Sequence, residues 1–262
     1  AEILRKRGFD VTLVPVDGCG WVSPDDVRGA ITDKTTLISV MHANNEVGTI
    51  EPVEEIGRIA KEHGIPFYTD AVQTVGKIPV NVDALNCDLL GISAHKFHGP
   101  KGVGALYVRR GTRIERFMAG GGQEFNRRAG THNIAGIVGL AKALEFANGE
   151  IEETRPRLEA LAGRLREGLE RRIERIRFNG HPERRVPGNV HICVEGVEGE
   201  AMLLCLDMNR VCVSSGSACT TGSLDPSHVL LAMGMPPEVA HGSIRFTLGR
   251  DNTEAEVDYV LD

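Results

Sequence analysis

The strongest constraint on this chain is the alternation of short apolar runs with amphipathic stretches. "VTLVPV" (11–16), "LISVMH" (37–42), "PFYTD" (66–70), "DLLGIS" (88–93) and "GALYV" (104–108) read as strands. Between them, "SPDDVRGAI" offers Ser23 as a helix N-cap and Pro24 at the first helical position. "EPVEEIGRIAKEHG" repeats apolar residues at helical spacing and stops at Gly64. Strands that alternate with helices predict βαβ units, an α/β fold and a mostly parallel sheet. Strands apolar along most of their length predict a sheet covered on both faces.

The pattern changes near residue 148. "IAGIVGLAKALEFANGEIEETRPRLEALAGRLREGLERRIERI" reads as two helices or one interrupted helix. A second set follows: the strand "GNVHICV", the helix "GEAMLLCLDMN", the strand "RVCVSS", the helix "PSHVLLAMG" and the strand "GSIRFTLG". A last helix opens at Thr253, with Glu256 in the place of a capping box. The expectation is a larger α/β domain over 1–148 and a smaller α+β domain over 149–262. The chain opens on Ala1 inside an apparent helix and closes on "VDYVLD" inside another, as an excerpt of a longer protein would.

Composition narrows the function. Of 262 residues, 41% are hydrophobic and 25% charged, the balance of a soluble globular chain. The net charge of −6 implies no broad basic face, so no direct nucleic-acid binding is expected. No apolar stretch reaches the ~18 residues of a membrane span, and "AEILRKRGFD" is not a signal peptide. The six cysteines (19, 87, 193, 205, 212 and 219) form no C-x-x-C pair. Reduced thiols in the cytoplasm are the expectation.

Chemistry concentrates where strands end. In open α/β sheets, ligands bind at the carboxyl ends of the strands. "PFYTD" ends in Asp70, and "DLLGIS" runs into "AHKFHGPKG". Lys96 between His95 and His98 admits three readings: a metal site, a solvated turn, or a lysine kept for covalent chemistry. No third ligand with suitable spacing accompanies the two histidines, so no intrinsic metal is expected. Lysine and aspartate on neighbouring strand ends are what pyridoxal phosphate requires. The lysine bonds its aldehyde, and the carboxylate pairs with its pyridinium nitrogen. Ser93 and His95 offer donors for the phosphate, Gln73 can reach the ring oxygen, and Asn45 lies on a third loop at the same edge. Taken together, these residues favour the cofactor reading.

"MHANNEVGTI", "TDAVQTVGK", "SAHKFHGPKGVGALYVRR", "GGGQE…RRAGTHN", "SSGSACTTGSLDPSHVL" and "GSIRFTLGR" together resemble the cysteine desulfurases of the NifS/IscS type. These are fold-type I pyridoxal-phosphate enzymes of the class V aminotransferase group, and the resemblance runs along essentially the whole chain. It implies a large lobe built on a seven-stranded type of sheet, of which this chain lacks the first part. Lys96 matches the Schiff-base lysine, Asp70 the partner of the pyridine nitrogen, and Gln73 the neighbour of the ring hydroxyl. Ser93 and His95 match phosphate ligands. Thr131 resembles a threonine that reaches the phosphate of a neighbouring subunit, which implies a homodimer. Asn45 matches a residue near the cofactor and the substrate carboxylate, and Arg245 the arginine that binds that carboxylate. Cys219 matches the nucleophile that takes the sulfur, and a transient iron–sulfur ligand.

The implied reaction removes sulfur from L-cysteine, releases L-alanine and leaves a persulfide on Cys219 for a scaffold or other acceptor protein. The sulfur would serve iron–sulfur clusters or thiolated tRNA. The long "SSGSACTTGSLDP" form of the cysteine motif points to the class that passes sulfur to a scaffold. Relatives also carry an upstream glycine–threonine phosphate loop and a ring-stacking histidine. His42, His63 and His132 do not match that histidine. Two alternatives stay open: a selenocysteine lyase or other class V lyase, and a non-catalytic interaction protein that keeps the fold.

Overall fold

The computed structural model describes residues 1–215 and 226–262. In chain order the elements are α1 (Glu2–Lys6), α2 (Pro24–Gly29), β1 (Ile38–Met41), α3 (Val53–Glu62), β2 (Phe67–Asp70) and β3 (Leu89–Ser93). A 3-10 turn (Ala94–Phe97) and β4 (Gly104–Val108) follow, then a small hairpin of β5 (Gly122–Gln123) and β6 (Arg128–Ala129). The remainder is α4 (Ile134–Arg172), β7 (Ile176–Asn179), β8 (Asn189–Val194), α5 (Gly199–Met208), α6 (His228–Ala232), α7 (Pro237–Ala240), β9 (Ser243–Thr247) and α8 (Glu254–Leu261).

The first sheet runs β1-β2-β3-β4. β1, β2 and β3 are parallel and β4 is antiparallel to β3. Its register sets the site, because Met41, Asp70 and Gly91 stand side by side where β1 and β2 end, and β3 runs two residues further to Ser93. Phe67 and Leu90 point into a core shared with Ile56 and Ala60 of α3 and with Leu140 of α4. α3 packs tightly there: a side chain at Gly57 would run into the Leu85 carbonyl. The second sheet, β7-β8-β9, is antiparallel with β8 in the middle. Its core takes Val190, Ile192, Ile244 and Phe246, covered by Leu161, Leu165 and Leu169 of α4 and Val257 of α8. α4 is thus one helix serving both cores, with Pro156 tolerated inside it and residue 148 within its length.

The local signals locate most ends. Ser23 Oγ accepts from Asp26 N–H, Gly64 takes φ +65°, and Thr253 and Glu256 form the capping box. Two expected strands do not form. Residues 11–16 make only a single bridge, Val16 to Val22, because Pro15 lacks an N–H and Leu13 faces solvent. "RVCVSS" yields only a bridge between Ser214 and Arg245. The short edge strand β7 was hidden by the charges of "ERIRFNG": Arg177 faces outward while Asn179 is buried.

Candidate active site

Lys96 owes its position to a single 3-10 turn. Three residues per turn put Ala94 and Phe97 on one face, where both are buried in the core. His95 and Lys96 therefore turn the other way. His98 closes the turn in the left-handed region at φ +64°, and Gly99 N–H returns to the Ala94 carbonyl at 2.9 Å. Ser93, the last residue of β3, puts its Oγ 2.8 Å from His95 Nδ1.

Asp70 closes β2 on the neighbouring strand. Its Oδ1 accepts from Val72 N–H at 2.9 Å, which turns the chain out of the sheet, and its carbonyl accepts from His42 N–H at 2.8 Å. Oδ2 takes no hydrogen bond from a described residue. β1 leads into a loop held by Asn44, whose Oδ1 accepts from the N–H groups of Glu46 and Val47 at 2.8 and 3.0 Å. Asn45 rides on this loop, and its carbonyl accepts from Arg245 Nη1 of β9 at 2.6 Å.

These loops open on a cavity of about 610 Å³, lined in part by Asn45, Gln73, His95, Lys96 and Arg245. The structure thus brings five of the expected residues to one wall. Asp70 and Ser93 stand at the strand ends beside that lining, Thr131 is exposed elsewhere, and Cys219 lies outside the described residues. Sequence reasoning missed Lys77, which also lines the cavity. Burial, with Lys96 and Arg245 nearby, holds the Lys77 ammonium down at about 8. The signal was present in "TVGK", one helical turn beyond Gln73. Lys77, Lys96 and Arg245, near one another on this lining, suit an anionic ligand.

The three histidines set aside earlier have other partners. His42 is buried with Nδ1 2.9 Å from Thr74 Oγ1, His63 bonds the Ile59 carbonyl, and His132 pairs with Glu124. Burial lowers His42 to about 4 and, with Arg245 and Arg185 nearby, His191 to about 3. His191 stands opposite Arg245 in the β8–β9 register. The unfolded chain protonates this imidazole below its ordinary value of 6.5 while the folded chain does not, so stability falls as pH drops from 6.5 toward 3. His42 acts in the same direction. Burial raises Glu51 to about 7, so its contribution acts oppositely and is lost as pH rises from 4.5 to 7. Comparison with a His191→Gln variant cancels both. Between pH 6.5 and 4.5 the unsubstituted chain should lose about 2 kcal/mol more than the variant, since the slope reaches ~1.4 kcal/mol per pH unit only below the unfolded value of 6.5. Urea denaturation at the two pH values checks this.

A lysine turned outward at the end of one parallel strand, with a carboxylate closing the next, is the frame of the fold-type I pyridoxal-phosphate enzymes. Residues 1–260 match the model of the family described as aminotransferase class-V, and the chain belongs to that family. The cysteine desulfurase IscS of Clostridium botulinum is 54% identical over 264 residues, covering 100% of this chain and 66% of that protein. The IscS of Dictyoglomus turgidum is 55% identical over 261 residues, with the same coverage. A solved NifS-like protein superposes with a TM-score of 0.91 at 40% identity, over 99% of this chain and 68% of that one. The chain therefore spans about 66% of the length of these curated relatives.

The family's cofactor is pyridoxal phosphate. The residues present fit it. An amine, a carboxylate with one oxygen uncommitted among the described residues, a carboxamide and a hydroxyl–imidazole pair converge at one sheet edge. The cavity is also within the usual ~300–1,000 Å³ of cofactor sites.

Proposed function

We propose that this chain is the larger part of a cysteine desulfurase that converts L-cysteine to L-alanine and holds the sulfur as a persulfide on Cys219. The observation that carries this reading is the gathering of Asn45, Gln73, Lys96 and Arg245 on one cavity at the carboxyl ends of parallel strands. The 54% identity to an IscS protein supports it.

When bound, pyridoxal phosphate supplies an aldehyde that condenses with amines and a ring that takes up the electrons of a substrate carbanion. Lys96 Nζ holds the cofactor and moves the substrate's α-proton. Asp70 pairs with the ring nitrogen, Gln73 with the ring hydroxyl, and Ser93 and His95 with the phosphate. Thr131 reaches the phosphate of the neighbouring subunit in a homodimer. Arg245, aided by Asn45 and the charge of Lys77, binds the substrate carboxylate, for which a planar guanidinium is suited. The Cys219 thiolate attacks the substrate's sulfur. A sulfur–sulfur bond forms, the carbon–sulfur bond breaks, and the carbon keeps the electron pair and takes a proton to become alanine. The acceptor is a scaffold or another sulfur-carrying protein in the cytoplasm. The proposed division into domains, 1–148 and 149–262, falls within α4. Among the described residues no helix is long and apolar enough to cross a membrane.

The test is release of alanine and sulfide from L-cysteine with pyridoxal phosphate and dithiothreitol, using the full-length protein. Equal amounts of both are expected. Turnover of selenocysteine but not cysteine would favour the lyase alternative, and no turnover of either would leave only an interaction protein. In the same assay Arg245→Ala should raise KM for L-cysteine about 30-fold or more, as loss of a charge-assisted partner worth ~2 kcal/mol requires. Arg245→Lys should recover part of that loss.

A further inference from the structure

The Arg245 side chain and the segment that carries Cys219 must keep a common frame if one group is to hold the substrate while the other attacks its sulfur. The described residues on either side of positions 216–225 are tied to the elements around Arg245. On one side, Ser214 and Arg245 exchange two backbone bonds, Arg245 N–H to the Ser214 carbonyl at 2.7 Å and Ser214 N–H to the Arg245 carbonyl at 3.2 Å. On the other side, Ser227 caps α6, its Oγ accepting from the N–H groups of Val229 and Leu230 at 3.2 and 3.3 Å. The same Ser227 hydroxyl donates its proton to Glu46 Oε2.

Glu46 is a carboxylate with only 3% exposure. A buried carboxylate is costly unless its charge and lone pairs are used. Burial raises the pKa of its carboxyl, opposed by the Ser227 hydroxyl and by the nearby charges of His228 and Arg245. Its backbone is committed as well: the Glu46 carbonyl accepts from Asn189 Nδ2 at 3.1 Å, and the preceding carbonyl, of Asn45, holds Arg245 Nη1. One loop residue therefore touches β8 and α6 and sits in the field of β9, across 181 residues of sequence to Ser227. A residue needed only for packing at this place could be apolar, as its neighbour Val47 is.

We propose that Glu46 is a positioning residue that fixes Arg245 and the α6 end of the Cys219 segment in one frame, so that substrate binding and sulfur transfer stay aligned. This inference rests on the desulfurase reading. Two halves of the reaction can be measured separately. Exchange of the α-hydrogen of L-alanine in heavy water needs Lys96 and Arg245 but no Cys219. Sulfide release from L-cysteine needs all three. The variants are Ser227→Ala, which removes the bond, and Glu46→Gln, which has nearly the same shape, keeps an acceptor for Ser227 and removes the charge.

At saturating substrate, both variants should keep α-hydrogen exchange within about two-fold and lose at least about ten-fold in sulfide release, a ~1.4 kcal/mol misalignment. The double variant should be no worse than the worse single one, as expected for two residues acting through one contact. The rate of Cys219 alkylation by iodoacetamide, followed by mass spectrometry without cofactor, should change several-fold in both. Equal losses in the two reactions, or no change in either, would overturn the proposal, because a merely structural role moves both together. Failure of the desulfurase reading shows instead in the unsubstituted protein, as exchange without sulfide.

Discussion

Replacing Lys96 by alanine is expected to reduce alanine formation from L-cysteine by at least about 10³-fold. Positioned proton transfer alone contributes ~10²–10⁴-fold, and the covalent hold on the cofactor is lost with it. The 3-10 turn should survive, because its buried residues are Ala94 and Phe97, and Lys96 faces the cavity rather than the core. The variant should therefore melt near the temperature of the unsubstituted protein. The absorption band of the lysine-bound cofactor should be absent. A variant that kept the band and a tenth of the activity would move the covalent role to another amine, and Lys77 on the same wall is the candidate.

Replacing Cys219 by alanine should remove sulfide release to a comparable extent while leaving the other half of the chemistry in place. In the proposed mechanism cofactor binding and α-hydrogen exchange rest on Asp70, Lys96 and Arg245, none of which shares the cysteine's segment. Cys219→Ser tests the same point with a hydroxyl, which is a far weaker nucleophile toward sulfur than a thiolate. Assaying α-hydrogen exchange beside sulfide release separates loss of the nucleophile from loss of the fold. Persistent sulfide release would move the nucleophile elsewhere. Cys205 and Cys212 are the exposed thiols among the described residues.

Much of this site was readable before the fold was known, for local reasons. Parallel strands end where their apolar runs end, so the residues just past "PFYTD" and "DLLGIS" had to share one sheet edge. The register of Asp70 beside Gly91 bears that out. Caps at Ser23 and Thr253 were legible because an N-cap acts on amides two or three residues ahead. The errors have the same origin in reverse. Residues 11–16 have the composition of a strand, but a strand needs a partner, and composition does not supply one. β7 has a strand's partner without a strand's composition, because only part of a short edge strand is buried.

By itself, then, the sequence determined the alternation of strands and helices through the first domain from residue 37 on, the place of the Asp70 and Lys96 turns at strand ends, and the residue types offered to the cofactor. These follow from periodicity and from contacts a few residues long. Only the tertiary structure decided that Arg245 meets the Asn45 carbonyl across 200 residues and that Ser227 meets the buried carboxylate of Glu46 across 181. It likewise decided that Lys77 shares a cavity with Lys96 and Arg245. The physical reason is that a buried charge is set by what the fold brings around it. Such neighbours have no fixed spacing along a chain, so no local pattern announces them.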